Sequence, residues 1–282
     1  MTLTVNLIGA GRVGRTLLRL MAGCPDVAVR SVASRRLESA RIAVDEAGTG
    51  VACRLDDMAP ADMWMLTVPD TQIAGVARDT ATCGYPPSVA VHCSGYHRAD
   101  VMAPLGEAGW TLASAHPMLS FAEPAVSARR FPGTAVGIEG DEGAISAVQH
   151  MFERLGARCF RISSEGKVLY HAAAVITNNF TTVLQAVALE AWEAAGVAED
   201  VARELNRTLL RSTLVNLEEF GPAAALTGPA ARGDAAVVEA QGRQVAEWRS
   251  DAGQLYALLS QMAVRLKSTG KALDDQDVPR RH

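Results

Sequence analysis

Three glycines near the N-terminus constrain the fold more than any other feature of the sequence. In LIGAGRVGRTLL, Gly9, Gly11 and Gly14 directly follow the apolar run TVNLI and open a helical pattern. Glycines at this spacing allow a tight turn, close approach of phosphate to the backbone, and close packing of a helix on a strand. The segment predicts a loop, including Arg12 and Val13, that binds a dinucleotide pyrophosphate at a helix N-terminus. The alternative is a glycine-rich turn without a ligand.

The end of the second predicted strand indicates which dinucleotide would bind. Proteins that bind NAD usually carry Asp or Glu about 20 residues after the glycines, where the carboxylate binds the ribose hydroxyls. Here the chain reads VASRRLESA, and Ser34, Arg35 and Arg36 occupy that point without a carboxylate. Two guanidiniums suit a 2′-phosphate, so we expect NADP as the cofactor. A solvated basic start of a helix is the alternative.

Short β-rich runs alternate with helical runs as far as about residue 162. The predicted strands are 4–8, 27–33, 63–68, 88–93, 111–115, 133–138 and 158–162, and the predicted helices include Val13–Ala22, Arg35–Ala47, Thr71–Ala81 and Gly143–Leu155. Such alternation predicts a parallel sheet with helices on both faces. We therefore expect an α/β, Rossmann-type, doubly wound NADP-binding domain in residues 1–162.

The character of the chain changes after about residue 163. Helical patterns occupy 167–195, 198–219, 234–248 and 251–268, and a loop with Gly-Pro pairs interrupts them at 220–234. These patterns predict an all-α C-terminal domain, residues 163–282. The final segment, DDQDVPRRH, is expected to be a frayed tail.

Composition excludes several classes of protein. A formal net charge of −4 argues against a nucleic-acid binder, which normally has a basic face. The five cysteines show no C-x-x-C pair and no zinc-ligand spacing, so we expect reduced thiols and no metal site. The N-terminus lacks the features of a signal peptide, and no apolar run reaches the ~18 residues of a membrane span. We expect a soluble, cytoplasmic protein without a nucleic-acid or membrane partner.

Two segments follow the carboxyl ends of predicted strands, where open parallel sheets bind their ligands. VPDTQI places Val68 and Pro69 beside the cofactor, although Pro69 could simply end the strand while Asp70 caps the next helix. HCSG places Ser94, a candidate catalytic residue, near the nicotinamide. His92 lies beside Ser94, and a lone histidine at a strand end is more often structural.

The helical segment EGKVLYHAAAVITNNFTTVLQAVAL is apolar nearly all round, yet it carries a series of polar side chains. At about 100° per residue, five of them share an arc of about 60°: Lys167, His171, Asn178, Thr182 and Gln185. Because buried polar groups are costly without partners, this polar stripe must face something polar, which could be another subunit, buried water or the cleft beside the dinucleotide. In similar two-domain proteins the corresponding helix lies at the floor of the active site, and this resemblance favours the cleft. A seam of hydrogen bonds between helices is the alternative.

Six segments occur in an order that resembles a family of Rossmann-like oxidoreductases whose helical C-terminal domain has no known function. They are GAGRVG, VPDTQI, HCSG, SAHPMLSF, YHAAAVITNNF and LTGPAARGD. More distantly, the chain is similar to pyrroline-5-carboxylate reductase, prephenate dehydrogenase and deazaflavin-dependent NADP oxidoreductases, and its helical part is 6-phosphogluconate dehydrogenase C-terminal-like. Gln241 departs from the family, which often has His there.

The resemblance implies a homodimer formed through the C-terminal helices, as such helical domains commonly dimerise and close the substrate cleft. The Ala- and Leu-rich segment Ala172–Leu189 supports this expectation because it needs more cover than three further helices offer. The HPM segment of prephenate dehydrogenases matches the sequence around His116, whose catalytic and structural interpretations are about even. In the RGD segment, Arg232 and Asp234 are expected to form a fixed ion pair or to anchor an anionic substrate.

Together these features predict a cytoplasmic NADP-dependent oxidoreductase that transfers hydride to or from a C–O or C–N bond of a small polar substrate. Because histidine has a pKa suited to proton transfer, His116 and His171 are the candidate acid/base residues. Asn178 could hold the reacting carbonyl or imine, and Lys167 or Arg232 could attract a substrate anion. The alternatives are another type of enzyme that keeps the dinucleotide tightly bound, and a non-catalytic NADP(H) sensor that acts through its helical domain.

Overall fold

The N-terminal part of the chain is built on one eight-stranded sheet. The computed structural model describes residues 2–274, so all but the first residue of the predicted frayed tail lies outside the described residues. The strands are β1 (Leu3–Ile8), β2 (Val27–Ala33), β3 (Val51–Cys53), β4 (Met63–Leu66), β5 (Val89–His92), β6 (Thr111–Pro117), β7 (Ala135–Gly140) and β8 (Arg158–Arg161).

The strand order of this sheet is β3-β2-β1-β4-β5-β6-β7-β8. Neighbouring strands are parallel except β6 and β7, which pair antiparallel with His116 opposite Gly137. The predicted α/β class with an all-α C-terminal region is confirmed, although the sheet is mostly rather than wholly parallel. The sequence reading missed β3, whose three residues are too short to show a pattern.

Helices cover both faces of the sheet. They are α1 (Arg12–Ala22), α2 (Leu37–Ala47), α3 (Ile73–Thr82), α4 (Ala103–Glu107), α5 (Pro124–Arg130), α6 (Glu142–Arg154) and α7 (Lys167–Val175). Side chains alternate between the faces of a strand, so Met63 and Met65 of β4 join one core cluster with α1, α2 and α6. Trp64 and Leu66 join the other cluster, with α3 and α4. The doubly wound arrangement therefore buries both faces of the sheet, as its continuous apolar strands require.

The turn from β1 into α1 depends on the three N-terminal glycines in different ways. Gly9 has a φ of +115°, and a Cβ there would lie 2.7 Å from the Thr67 backbone. A Cβ on Gly14 would lie 2.0 Å from the Gly9 carbonyl oxygen, whereas a Cβ on Gly11 would meet nothing within 4 Å. The Thr67 hydroxyl donates a 2.7 Å hydrogen bond to the Gly9 carbonyl and fixes the turn. Gly9 and Gly14 are thus required by the protein's own packing, while Gly11 borders open space.

The C-terminal part of the chain is helical throughout its described residues. After α7 come a π-helical turn (Ile176–Phe180) and α8 (Thr181–Ala194), α9 (Glu199–Ala225), α10 (Pro229–Arg232), α11 (Ala235–Trp248) and α12 (Ser250–Thr269). The Gly-Pro loop predicted at 220–234 is largely helical: Gly221, with a φ of 72° and a ψ of 168°, interrupts α9 near its end, and Pro229–Arg232 forms α10. Asn206 joins α8 to α9, because its side chain accepts from the Trp192 indole N–H at 3.0 Å and donates to the Gln185 carbonyl at 3.0 Å.

The chain divides into two compact units, one ending at Thr177 and the other beginning at Asn178. The division falls inside the π-helical turn, so α7 packs with the sheet. The sequence predicts a domain boundary after residue 162. That boundary remains a prediction about functional domains, because the division after Thr177 describes only which residues pack together.

The helical run Lys167–Ala194 reaches the length and composition of a membrane span, with a mean hydropathy of 1.3 over its most apolar window. The sequence expectation concerned uninterrupted apolar runs, whereas this helix qualifies by length and composition alone. It does so because Ala, Val and Leu outweigh the polar side chains scattered along it, among them the buried Lys167.

Alanine substitutions at Gly14 and Gly11 test which of the two glycines the packing of the turn requires. Gly14→Ala is expected to lower the free energy of unfolding by about 1–3 kcal/mol, since the added methyl group overpacks the turn. Gly11→Ala is expected to cost less than about 1 kcal/mol, the difference between Gly and Ala at a helix N-cap. Urea unfolding of both variants measures this, and equal losses would contradict the assignment of Gly11 to open space.

Candidate active site

A cleft of about 420 Å³ opens beside the glycine turn at the carboxyl ends of β1, β4 and β5. Its lining includes six of the residues expected to bind a cofactor, namely Gly11, Arg12, Val13, Val68, Pro69 and Ser94. Asp70 lines the same cleft and makes no capping hydrogen bond, so the capping interpretation of Asp70 is wrong. The N-terminus of α1 contributes free N–H groups and the Arg12 side chain. These groups and the open space at Gly11 fit a pyrophosphate.

A second cavity of about 770 Å³ lies at the ends of β2 and β3 and shares Val68 with the cleft. Ser34 and Arg35 line it as the sequence suggests, whereas Arg36 does not belong to the lining. Arg54, which sequence reasoning missed, also lines it and lies 3.6 Å from Asp56. The missed signal was a basic residue directly after β3. The charged lining of this cavity is mixed, since Asp56 and Asp79 accompany Arg35 and Arg54.

His92 and Ser94 form a tight hydrogen-bonded corner at the end of β5. The buried His92 accepts from the Ser94 N–H at 3.1 Å through Nδ1, and its Nε2 lies 3.0 Å from the Arg98 carbonyl oxygen. A neutral imidazole has one donor and one acceptor, and in His92 both are used by backbone groups. We therefore interpret His92 as a structural residue. The Ser94 hydroxyl oxygen accepts from the Tyr96 and His97 N–H groups at 3.1 and 3.0 Å, which leaves its proton for another partner.

The structure brings His116 and His171 together over Gly95. Their ring centroids are 5.4 Å apart. A Cβ on Gly95 would lie 2.8 Å from His116 Nε2 and 2.3 Å from His171 Nδ1, so only glycine fits between these rings and the β5 corner. Ser94, the residue before Gly95, lines the cleft beside the glycine turn, so the two imidazoles lie one residue along the chain from that lining.

Tyr170 supports His116 from the other side. The Tyr170 hydroxyl lies 3.1 Å from His116 Nδ1. A Cβ on Gly137 would lie 2.6 Å from that hydroxyl, so a glycine in β7 makes room for it. Burial raises the pKa of Tyr170, and a hydrogen bond from the Gly137 backbone opposes the shift.

Lys167 lies beneath this pair of imidazoles and is fully buried. Its Nζ donates to Glu139 Oε1 at 3.1 Å and to the Ser114 hydroxyl. Glu139, itself 2% exposed, also accepts from the Ala99 N–H at 2.9 Å and from the Ser164 hydroxyl at 2.7 Å. Burial lowers the pKa of Lys167, and the Glu139 carboxylate opposes that shift. Charges this deep require partners, and here both have them.

Burial keeps the nearby titratable side chains neutral, and for the two histidines the positive charge of Lys167 acts in the same direction. Burial lowers the pKa of His92 to about 3 and that of His116 to about 4, with His171 and Lys167 adding to the shift of His116. Burial raises the pKa of the Cys93 thiol to about 12. At neutral pH, His116 is therefore an uncharged imidazole.

The predicted polar stripe does not exist as one face. Lys167 points into the buried network with Glu139, so its expected role in attracting a substrate anion is wrong. Asn178 and Thr182 belong to the C-terminal unit, where the Thr182 hydroxyl donates to the Asn178 carbonyl at 3.1 Å and the Asn178 amide donates to Asn179 at 3.4 Å. The physical reason is the π-helical turn, which adds a residue to one turn and breaks the 100° spacing on which the alignment relied.

Two other expectations concern the RGD segment and its surroundings. Arg232 and Asp234 form the predicted ion pair, with nitrogen–oxygen distances of 3.0 and 3.1 Å. Gln241 accepts a 2.7 Å hydrogen bond from the Tyr256 hydroxyl, so the position where the family often has His joins α11 to α12. Among the described residues, no group of three His, Cys, Asp or Glu side chains could hold a metal.

Each of the two parts of the chain matches a known domain family. Residues 1–117 match a Rossmann-like domain, and residues 134–263 match a domain of unknown function, DUF2520. No curated protein sequence matches this chain.

Solved structures resemble the chain over nearly its whole length. Protein TM1727 from Thermotoga maritima is 27% identical with a TM-score of 0.76, and the match covers 94% of this chain and 99% of that one. A proposed NADP oxidoreductase, BF3122 from Bacteroides fragilis, is 24% identical with a TM-score of 0.74 over 94% and 98% of the two chains. A pyrroline-5-carboxylate reductase from Coxiella burnetii shares the fold at 16% identity, with a TM-score of 0.60 over 95% and 100%. The chain therefore joins a Rossmann-like domain to a DUF2520 domain, in the architecture of these proteins.

Proposed function

We propose that this chain is an NADP-dependent oxidoreductase that transfers hydride between NADP(H) and a small polar substrate at a C–O or C–N bond. One observation carries the proposal: two cavities that share Val68 run from Arg35 past the glycine turn to Ser94, and the next residue, Gly95, lies against the rings of His116 and His171. The order of these features is the order of groups along a dinucleotide, with the 2′-phosphate at one end and the nicotinamide at the other.

The residues that would hold the cofactor differ along the cleft. Arg35 and Arg54 would bind the 2′-phosphate, the N–H groups at the start of α1 would bind the pyrophosphate with Arg12, and Ser94 would lie near the nicotinamide. When bound, the nicotinamide supplies or accepts the hydride. The name given to the Bacteroides fragilis relative, an NADP oxidoreductase, agrees with this assignment.

The protein's own chemical task is to position the substrate and to handle one proton. His116 and His171 stand where the reacting group would lie, within reach of the Gly95 backbone. Because the pKa of His116 is low, its imidazole is uncharged at neutral pH when it contacts the substrate. The buried Lys167–Glu139 pair would influence the reaction indirectly, because it fixes the position of α7 and because its charges contribute to the electric field at the site.

The C-terminal helices support a homodimer. Among residues 178–274, the buried ones are Ala202, Asn206, Ala252 and Gly253. Exposed apolar side chains on α9 and α12 include Leu209, Leu214, Val215, Leu258 and Val264. So few buried residues cannot stabilise a helical unit of this length, because burial of apolar surface is the main favourable term in folding. We therefore assign these helices to a contact with a second copy, in a cytoplasmic protein with no membrane or nucleic-acid partner.

Cofactor choice is tested by titrating NADPH and NADH into the wild-type protein. NADPH should bind more tightly, and Arg35→Ala should weaken NADPH binding about 10- to 100-fold, the value of one charged hydrogen bond. NADH binding should hardly change. Arg36→Ala should have a smaller effect because Arg36 does not line the cavity. Arg41→Ala on the exposed side of α2 is the control, and equal affinities of the wild type for both cofactors would sink the NADP assignment.

Assembly is tested by light scattering at micromolar concentration. The wild-type chain should have the mass of a dimer, and Leu214→Glu should shift it toward monomer because it places a charge on the exposed apolar part of α9. Ile42→Glu, at an exposed apolar residue of α2, should leave the dimer intact. A monomeric wild type, or a dimer that only Ile42→Glu dissociates, would refute the proposed interface.

The neutral imidazoles predict acid sensitivity of the fold. His92 and His116 have folded pKa values of about 3 and about 4, below the 6.5 of an unperturbed histidine, so the unfolded chain binds more protons between these values. Stability is therefore complete above pH 6.5 and is lost as the pH falls through this range. As the pH falls from 7.5 to 5.5, His92 and His116 should each lower the free energy of unfolding by up to about 1.3 kcal/mol.

Urea unfolding at these two pH values measures this loss. His116→Gln, which cannot titrate, should reduce the loss by about half. A wild type whose stability is unchanged between the two pH values would show that His92 and His116 are not buried as neutral groups.

A further inference from the structure

The contact between Tyr170 and His116 indicates which kind of bond the site acts on. We propose that Tyr170 holds His116 as a neutral Nε2–H donor, so that the site binds the oxygen of an alcohol or carbonyl substrate and not the nitrogen of an ammonium or iminium group. The inference rests on the proposed oxidoreductase function and narrows it to the C–O bond.

The Tyr170 hydroxyl lies against the Gly137 backbone and beside His116. A Cβ on Gly137 would lie 2.6 Å from it, and His116 Nδ1 lies 3.1 Å away. A half-buried tyrosine with a raised pKa keeps its proton at neutral pH, and that proton needs an acceptor. Among the described residues, the acceptor placed at this hydroxyl is His116 Nδ1. Tyr170 therefore donates to His116.

This bond fixes the tautomer of His116. A neutral imidazole carries one proton, so when Nδ1 accepts from Tyr170, the proton of His116 is on Nε2. That nitrogen lies 2.8 Å from the position of a Gly95 Cβ, on the side of the ring nearest the β5 corner and Ser94. The site thus presents an N–H donor where the reacting group is expected.

The charges around His116 act in opposite directions, so the hydrogen-bonding role of its ring decides which group binds. Lys167 lowers the pKa of His116, and Asp70 raises it. His171 Nδ1, which is buried without a hydrogen-bond partner, lies on the same side, against the Gly95 backbone. An ammonium or iminium nitrogen has no lone pair, so it would offer the Nε2–H of His116 no acceptor.

An oxygen substrate satisfies these groups in either direction of the reaction. Reduction of a carbonyl adds hydride, supplied by NADPH, to the carbon as the C=O π bond breaks, and the oxygen then needs one proton. His116 gives its Nε2 proton to that oxygen, Nδ1 takes the Tyr170 proton, and Tyr170 regains one from water. NADPH is oxidised, the carbonyl is reduced, and His116 is neutral before and after. Oxidation of an alcohol runs the same steps in reverse.

The tautomer is measured directly by two-bond ¹⁵N–¹H correlation NMR of histidine-labelled full-length protein. His116 in the wild type should show the Nε2–H pattern and remain neutral down to about pH 5. In Tyr170→Phe, which removes only the hydroxyl, the pattern should change toward a mixture of tautomers. The pKa of His116 should then rise by up to about one unit, the value of one hydrogen bond to the neutral form.

Two controls are built into the chain. His92 has an Nε2–H tautomer fixed by Ser94 and Arg98, so its signals should not respond to Tyr170→Phe. Tyr85→Phe removes another partly buried hydroxyl, bonded to Leu55 and Met58, and should leave His116 unchanged. His116→Gln identifies the His116 signals. An Nδ1–H tautomer in the wild type, or a His116 spectrum that Tyr170→Phe does not alter, would overturn the inference.

The same samples separate this inference from the proposed function. NADPH is added to the wild type and its binding is followed by cofactor fluorescence. Failure of NADPH to bind would end the oxidoreductase proposal whatever the tautomer is. Bound NADPH together with an Nδ1–H tautomer of His116 would leave that proposal standing and refute the C–O assignment alone.

Discussion

The buried ion pair between Lys167 and Glu139 is the interaction on which the candidate active site depends. It attaches the first turn of α7 to β7, and through the Ser114 hydroxyl to β6. A buried pair of this kind contributes little net stability compared with a well-packed apolar pair, but removing one partner typically costs about 3–5 kcal/mol. Its main effect is specificity: with Lys167 fixed, the next turn of α7 places Tyr170 against Gly137 and His171 against Gly95.

Two glycines in the sheet domain complete this arrangement. Gly95 and Gly137 leave room for a histidine and a tyrosine to approach the backbone, and any side chain at either position would collide with them. Elsewhere in the fold, Gly9 and Gly14 serve the β1–α1 turn in the same way, whereas the space beside Gly11 is open. The protein therefore fills the space at some of these glycines with its own atoms and leaves it open at Gly11. Because Gly11 also lines the cleft at the start of α1, that open space is compatible with a bound pyrophosphate.

Much of the N-terminal unit could be predicted from the sequence because local patterns determine it. The glycine spacing, the apolar strands and the helices between them predicted the order of elements. The sequence also predicted Ser94, His116 and His171 as site residues, and the structure places the two histidines against Gly95, next to Ser94. Glu139 and Tyr170 were missed. A carboxylate in the otherwise apolar strand GTAVGIEG was the available signal for Glu139, since a buried charge requires a partner. The function of Tyr170 depends on contacts between distant parts of the chain, which a pattern in one helix does not contain.

The long apolar helix shows where periodicity fails. The alignment of its polar residues assumed a regular helix, and the π-helical turn at Ile176–Phe180 invalidates that assumption. Nothing in the local sequence marks that turn, because its residues are compatible with an ordinary α-helix. π-helical turns occur often at functional sites, and this one follows directly after the helix that carries Tyr170 and His171.

The central claim is that the cleft binds a dinucleotide with its nicotinamide end beside the two histidines. A crystal structure of the full-length protein with NADP⁺ tests it most directly. The account predicts a pyrophosphate at the start of α1 next to Gly11, and a nicotinamide ring in contact with Ser94 on the side facing His116 and His171. A dinucleotide bound elsewhere, or one whose nicotinamide points away from both imidazoles, would contradict it.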